Sequence, residues 1–440
     1  MKTISKYTSL LLGLALLVQA CDFDSVDYPD RFKQTSGVPT VDFVRYADKD
    51  VVITQASMEE LVCIVGDNLT SVHELYFNDQ AAVLNSSYMT AKTLLVAVPR
   101  TMPTVQTDKI YMKTKDGQEV TYDFKVLPPV PKITGMSLEW AEPGETVSIN
   151  GSYLFAPVEV EFPGCDPVTA TAGDGSSVSV VVPEGAKPGK IKVTTPSGTA
   201  QSVFQYKDDR GMLFDFDGLT GLDNHGWNGH NSQDDDGTGI SGRFFQFGDG
   251  ETALDGSWEE SHFSFVYWPG SWNDPENYQD GAMGARLLDL ADFTDWQNMA
   301  LKFEVFVPSS NPWSNTPMHI CMAGVKDVSF GNACTDIYGV NVAGANNKYM
   351  SGDGVPAAPR ALWRPWAATG SFDTGDKWMT VTIPLTEFNL GWDGKTASSQ
   401  LSADSFASLW MFITNGGVEA EEASCTPIIK IDNIRAVPYK

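Results

Sequence analysis

Positive charge is scarce in this chain, cysteine is sparse, and the first half is almost without tryptophan. Thirty Lys and Arg stand against 56 Asp and Glu, a formal charge of −26 at pH 7. No basic stripe runs along any segment, so a nucleic-acid partner is excluded: phosphate backbones are held by clustered Lys and Arg. The same acidity disfavours acidic polysaccharides and bare anionic membrane surfaces, which leaves a neutral partner. After the first twenty residues no apolar run approaches the roughly 20 residues that span a bilayer. Cys-x-x-Cys, Gly-x-Ser-x-Gly, His-Glu-x-x-His and glycine-rich phosphate loops are all missing. Their absence argues against zinc and redox centres, the usual serine-hydrolase elbow, zinc proteases and nucleotide binding. No Glu-x-Asp-x-x-Glu cluster occurs either, although so acidic a chain supplies many isolated carboxylate pairs. What is present is enough apolar sequence, 42% of residues, for several packed cores.

The N-terminus reads as an address. Lys2 and Lys6 precede the apolar run Leu10–Val18, which ends in Gln19-Ala20-Cys21. That run is too short to cross a membrane and has the form of a signal-peptide core, residues 1–20. Ala20 before Cys21 resembles a bacterial lipobox, which implies lipidation of Cys21. Residues 21–37 then form a tether whose Asp22, Asp24 and Asp27 look like the surface-export signal of lipoproteins from Bacteroidetes-type polysaccharide-utilisation systems. The expected location is the outer membrane, lipid-anchored and facing the exterior. Of the six cysteines, setting Cys21 aside leaves Cys63, Cys165, Cys321, Cys334 and Cys425. An odd number leaves at least one unpaired. Cys321 and Cys334 are spaced to bridge a hairpin, Cys425 is a competing partner, and buried free thiols are the simpler reading.

An internal repeat follows. Gly66–Asn78 parallels Gly151–Pro163, Leu94–Pro99 parallels Val178–Pro183, and Lys109–Gly117 parallels Lys190–Gly198. Short alternating strands between Gly, Pro and Asp turns, in units of some 80–90 residues, predict antiparallel sandwiches. The units resemble TIG/IPT immunoglobulin-like modules and are placed at 38–127 and 129–207. Pro128, Pro129 and Pro131 make a stiff connector between them. Neither unit carries a catalytic constellation, so both read as spacers. From residue 211 to 440 the character changes. Leu213–Gly218 opens and Ile428–Arg435 closes a third segment that also holds Leu301–Val307, Trp378–Leu385 and Leu409–Ile413 as strands. No sustained helical period appears, so helices should be short. The opening and closing strands look like the terminal strands of jelly-roll carbohydrate-binding modules. The expected fold class is all-β: two tandem immunoglobulin-like (TIG/IPT) sandwiches, then a larger jelly-roll-like β-sandwich.

This order of parts resembles the surface glycan-binding lipoproteins of the SGBP-B type. The resemblance implies non-catalytic capture of a neutral, β-linked polysaccharide (β-glucan, xyloglucan or mannan) for an outer-membrane TonB-dependent transporter and its SusD-like protein. It also implies an aromatic platform in the C-terminal domain.

Eleven of the 12 tryptophans lie after residue 211, Trp140 being the exception. A flat indole can cover the C–H face of a pyranose while Asn, Asp, Glu or Arg meets its hydroxyl rim. Core residues must be subtracted first, and Trp296, Trp378 and Trp410 sit in or beside strongly apolar strands. Two turn-rich stretches remain, Tyr267–Tyr278 and Ala361–Trp366, with Trp313 bracketed by prolines between them. They nominate Trp272, Trp313, Trp363, Trp366 and, more weakly, Trp268 as sugar platforms. Arg364, Asn315, Asn273, Asp274 and Glu276 are the matching hydroxyl partners. No cofactor is expected. A structural Ca2+ has two weak candidate sites, the Asp234–Asp236 loop and Asp215 or Asp217 with Asp432. His225 and His230 have no third ligand in sequence. Two other readings stay open: a lipid-anchored endo-acting glycoside hydrolase and a protein-binding adhesin or assembly factor.

Overall fold

A computed structural model describes residues 35–225, 230–269, 285–324, 334–335, 341–342, 358–415 and 424–439, and divides the chain into two compact units, Met1–Val130 and Pro131–Lys440. Described helices are single turns such as Glu260–Phe263 and Leu287–Leu290. The fold is all-β.

In the first unit, one four-stranded sheet runs Val52–Ile53, Thr40–Tyr46, Leu61–Asp67, Thr93–Ala97. Its partner runs Gln80–Ala81, Val72–Phe77, Lys109–Thr114, Glu119–Asp123. Period-two alternation drives the packing: Ile110 and Met112 are buried while their neighbours face water. Val44, Val62 and Ile64 from one sheet meet Leu75, Phe77 and Ile110 from the other in a single core.

The second unit begins with seven strands between Lys132 and Gln201 that curl round their own core, where Val147, Ile149 and Val180 meet Val158, Val160 and Val193. The repeated glycines have a physical reason. Gly66 and Gly151 each pair beside a register shift, opposite Val41 and Ile133. A Cβ on Gly66 would lie 1.9 Å from the Thr40 carbonyl oxygen, and one on Gly151 1.9 Å from that of Lys132. Backbone approaches side-on at a bulge, and only glycine leaves room. Gly151→Ala should therefore destabilise the second unit by about 1–3 kcal/mol, read as a lowered thermal midpoint. Ala at Gly117, where nothing lies within 4 Å of the added Cβ, serves as a comparison for backbone effects without a clash.

The C-terminal sandwich has a five-stranded sheet, ordered Met212–Phe214, Ile429–Pro438, Met299–Phe306, Met379–Pro384, with Phe245–Phe247 also on Ile429–Pro438. The opening and closing strands of the domain do pair, Met212 with Arg435 and Phe214 with Ile434. Against it lies a four-stranded sheet, Ser264–Tyr267, Ser408–Ile413, Met318–Ala323, Arg360–Trp363. Phe303, Val305 and Ile431 on one side and Phe265, Ile320 and Met411 on the other fill the space between.

The outer face of the five-stranded sheet is charged and covered by the chain itself. Lys302, Glu304, Lys430, Asp432 and Arg435 are all nearly or fully buried there. Asp236 pairs with Lys430 at 2.6 Å, Ser241 donates to Asp432 at 2.9 Å, and Trp378 Nε1 donates to the Thr238 carbonyl at 2.6 Å. The preceding sandwich closes the rest. Thr380 N donates to Ser137 O at 2.9 Å, Glu139 N donates to Thr380 Oγ1 at 2.7 Å, and the Glu139 carboxylate takes Arg435 and Lys302. A module that reads as a spacer in sequence is thus built into the wall of the C-terminal domain.

Candidate functional site

On the other side of the sandwich is the outer face of the four-stranded sheet, which is covered too: Ser264, Val266, His319, Cys321, Arg360, Trp410 and Phe412 are at most 2% exposed. Its composition follows from register. Phe265, Met411, Ile320 and Ala361 lie opposite one another and point inward. The adjacent positions therefore point outward, in rows across the sheet. One row is Ser264, Phe412, His319, Leu362; the next is Val266, Trp410, Cys321, Arg360. Neighbouring members of a row are about 4.8 Å apart, the strand spacing. Val266, Trp268, Cys321, Trp410 and Phe412 form a second apolar cluster, separate from the interlayer core.

Rings from loops lie over this face. His225 stacks on Trp268 with centroids 3.4 Å apart, and Trp268 lies 5.7 Å from Trp410. Trp258, 38% exposed, tilts over Phe412 at 4.9 Å, with its indole N–H directed to Glu260. Half-buried Trp392 covers the far side, 5.1 Å from the His319 ring and 5.2 Å from the Arg360 guanidinium. A cation over an indole face is favourable, more so when desolvated. Arg360 also faces His319 Nδ1 at 3.3 Å. Burial, reinforced by Arg360, pushes His319 down to about 3, and burial pushes His225 down to about 4. Both rings are therefore neutral at physiological pH, and Arg360 is the fixed charge of the face. The four strands contain no Asp or Glu.

At the Arg360–Trp363 edge of this sheet a cavity of about 220 Å3 opens between the layers, lined by Trp363, Leu362, Ile383, Glu387, Asn389 and Leu390 among others. The loop after the Met379–Pro384 strand makes its outer lip, because Leu390 pairs with Arg360 through backbone bonds of 2.9 and 3.1 Å.

Several nominated residues are elsewhere. Trp313 is fully buried, its indole N–H donating to the carbonyls of Asn315 and Thr316 at 2.6 and 3.1 Å, and Asn315 is 1% exposed. Both are interior residues, so neither presents a surface to a sugar. Trp366 is 5% exposed inside the interlayer core, and Trp268 is fully covered beneath His225. Neither is a free platform as it stands. Trp363 is half-buried, edge-on to Phe303 and Trp313 at 5.4 and 5.3 Å, and lines the edge cavity. Arg364 beside it is exposed. Trp272, Asn273, Asp274, Glu276 and Cys21 lie outside the described residues. Trp258, Trp392, His319 and Arg360 were not nominated. Trp392 in Gly391-Trp-Asp-Gly394 carried the same turn signal as the favoured loops, and it is the one sequence could have promoted. His319 and Arg360 sit inside strands and become neighbours only through register.

The calcium expectations also change. Asp215 accepts from the backbone N–H groups of Leu219 and Thr220, and Asp217 from that of Arg243. Asp432 is lifted by burial to about 8, with Ser241 as its donor. Asp234 pairs with Arg243, Asp235 accepts from Gly237 and Gly239, and Asp236 pairs with Lys430. These carboxylates each serve a different local partner. Among the described residues, none of His, Cys, Asp or Glu gather three together as a metal site requires. Cys321 is a buried free thiol, Cys63 and Cys425 are also free, and burial raises the Cys321 thiol.

The comparisons point one way. A family model described as the surface glycan-binding protein B xyloglucan binding domain matches residues 206–438. The crystal structure of the surface glycan-binding protein PbSGBP-B from Prevotella bryantii is 40% identical, with a TM-score of 0.76, covering 92% of this chain and 100% of that one. An IPT/TIG domain-containing protein of Bacteroides ovatus is 26% identical over 171 residues, 35% of this chain and 33% of the relative. The chain thus spans about a third of that curated relative's length.

Proposed function

The chain belongs to the surface glycan-binding protein B family, and from that membership we propose that it holds a neutral, β-linked polysaccharide at the cell surface without cleaving it. The observation that carries this reading is a coincidence of place. Residues 206–438, which match the xyloglucan-binding domain, are those that build the sandwich with a self-covered charged face and an opposite aromatic one. Exposed Trp258 and half-buried Trp392 lie over the aromatic face, and a chain laid across them would meet indole faces first, while Arg360 is buried beneath Trp392. Xyloglucan is the first ligand to test, with mixed-linkage glucan, β-1,3-glucan and mannan beside it. A net charge of −26 favours uncharged glycans over uronic acids.

Binding rather than hydrolysis is supported by the family match, whose description names a binding domain. Trp272, Asp274, Glu276, Trp363 and Arg364 remain proposed contacts. Acylation of Cys21 would anchor the chain to the outer membrane, facing outward. The captured glycan would pass to a TonB-dependent transporter and its SusD-like protein.

Electrophoresis of the full chain in gels containing each polysaccharide tests the proposal. Retardation by xyloglucan or another neutral β-glycan, with no reducing sugar released, is the expected result. Release of reducing ends would make the chain a hydrolase. Migration unaffected by every neutral glycan would end the reading.

A further inference from the structure

The sandwich repeat occurs twice, and the matching outer faces of the two copies differ in kind. In the first copy Val44, Val62, Ile64 and Leu94 point into the core. Alternation then turns Phe43, Arg45, Leu61, Cys63, Val65 and Leu95 outward on the same sheet. The second copy has Gly135, Ser137, Thr146, Ser148, Asn150 and Ser179 at the matching places, set by the same bulge and the same pairing. That face is small and polar, as a sheet surface in water ordinarily is. Apart from Arg45, the same positions in the first copy are apolar, although the shared fold does not require it. Leu61 is 49% exposed, and Val52, opposite Arg45, is 60% exposed. A contiguous apolar patch left open on a sheet marks a surface that meets another molecule.

We propose that this face pairs with the same face of a second copy of the chain, strands antiparallel, in a two-fold dimer. The placement of charge selects a copy. Asp42, the extra residue of the bulge between Val41 and Phe43, is exposed at one end of the face. Arg45 lies toward the other end, where its Nη1 donates to the carbonyls of Tyr46 and Lys49 at 2.9 and 3.4 Å. A two-fold axis in the plane of the sheet and across its strands sets Asp42 of each copy against Arg45 of the other. Phe43, Leu61, Val65 and Leu95 then fill the middle, as in aligned sheet packing. Four strands and three outward rows give roughly 400 Å2 per copy. Roughly 800 Å2 in all is short of the 1,200 Å2 or more of a stable interface, so the pair is weak. The charge of −26 on each chain repels, but salt screens it beyond about 8 Å. Confinement of two copies to one surface raises their effective concentration and favours the pair. The inference goes beyond the glycan reading and does not depend on it.

Sedimentation velocity of the full chain over a concentration series tests this. With a Kd on the order of 100 µM, the wild-type chain should be monomeric well below that concentration and increasingly dimeric above it. Asp42→Arg and Arg45→Asp are then prepared as separate chains. Neither should associate alone, because its copies set like charges against each other. An equimolar mixture of the two should associate as the wild type does, since every contact again joins opposite charges. Leu61→Thr with Val65→Asn, which installs residues the second copy of the repeat already folds with, should weaken the pair about tenfold. An unchanged thermal midpoint checks that each variant folds. A wild-type chain that stays monomeric throughout overturns the pairing and leaves the face to a different protein. A mixture that fails to associate, or undiminished pairing in the Leu61→Thr, Val65→Asn chain, overturns it as well, because the contact then lies elsewhere.

Discussion

Arg435→Leu should lower the stability of the second unit by about 3–5 kcal/mol, the usual cost of removing one partner from a buried ion pair. In a unit of this size that is a fall in thermal midpoint on the order of 10 °C. The guanidinium stands between two carboxylates, 2.7 Å from Glu304 Oε2 and 2.8 Å from Glu139 Oε2, with every member of the group at least 97% covered. Burial works against its charge, yet the two carboxylates hold its proton more firmly than in water. Burial raises Glu304, and Arg435 is the main influence opposing that rise. Without Arg435, Glu304 and Glu139 face each other in a dry interface with only Lys302 and Thr380 as partners. Glu304 would then take up a proton. Glu304→Gln should cost less, because a neutral amide needs no counter-charge. A melting curve for each variant distinguishes them. An Arg435→Leu midpoint within 2 °C of wild type would show that water reaches the interface. The same comparison bears on architecture: Glu139 comes from the preceding sandwich, so loss of Arg435 should also loosen the join between the two modules. Limited proteolysis between residues 201 and 212 would report that.

That join was the least legible part of the fold. In the sequence, Leu301-Lys-Phe-Glu-Val-Phe306 reads as an alternating strand with one wet face, and Lys302 and Glu304 look solvated. Glu139, the partner of Lys302, is 163 residues away from it, and no local pattern announces a contact at that range. The repeats, by contrast, were plain, because the bulge that demands Gly66 also demands Gly151, and alternation at Ile110 and Met112 shows directly in the residues. The opening and closing strands of the C-terminal domain were readable from their apolar runs at its two ends. The site was legible only in kind. Tryptophans in the C-terminal half signalled an aromatic surface, and half-buried Trp363 does line an open cavity. Trp313 failed for a specific reason. Prolines stiffen a loop whether its ring turns outward or folds beneath it, and the carbonyls of Asn315 and Thr316 that satisfy the indole N–H cannot be located from sequence. Arg360 and His319 were hidden differently: charged or titratable residues inside apolar strands read as outward and solvated, yet loop residues His225, Trp258 and Trp392 put a roof over that face.

Removing that roof should have the largest effect on binding. Trp258→Ala and Trp392→Ala should each weaken glycan affinity by about fivefold, taking about 1 kcal/mol for each aromatic contact. The two indoles sit over adjacent members of one row, Phe412 and His319, so the double variant also measures whether their losses add. The double variant is expected to bind roughly 30-fold more weakly. Trp258 is 38% exposed, so its removal should barely move the thermal midpoint. Trp392 also lies against Arg360, and removing it exposes that guanidinium to water, which adds a small structural change to the lost contact. Trp392→Phe separates these effects: a smaller ring still covers Arg360, and it should recover part of the affinity. Titration with a neutral β-glucan oligosaccharide measures the four variants against wild type. A double variant within twofold of wild type would remove Trp258 and Trp392 from the platform and make Trp272 the next residue to replace. An intermediate Trp392→Phe affinity would tie the loss to stacking, because a purely structural role for Trp392 predicts that affinity tracks melting temperature instead.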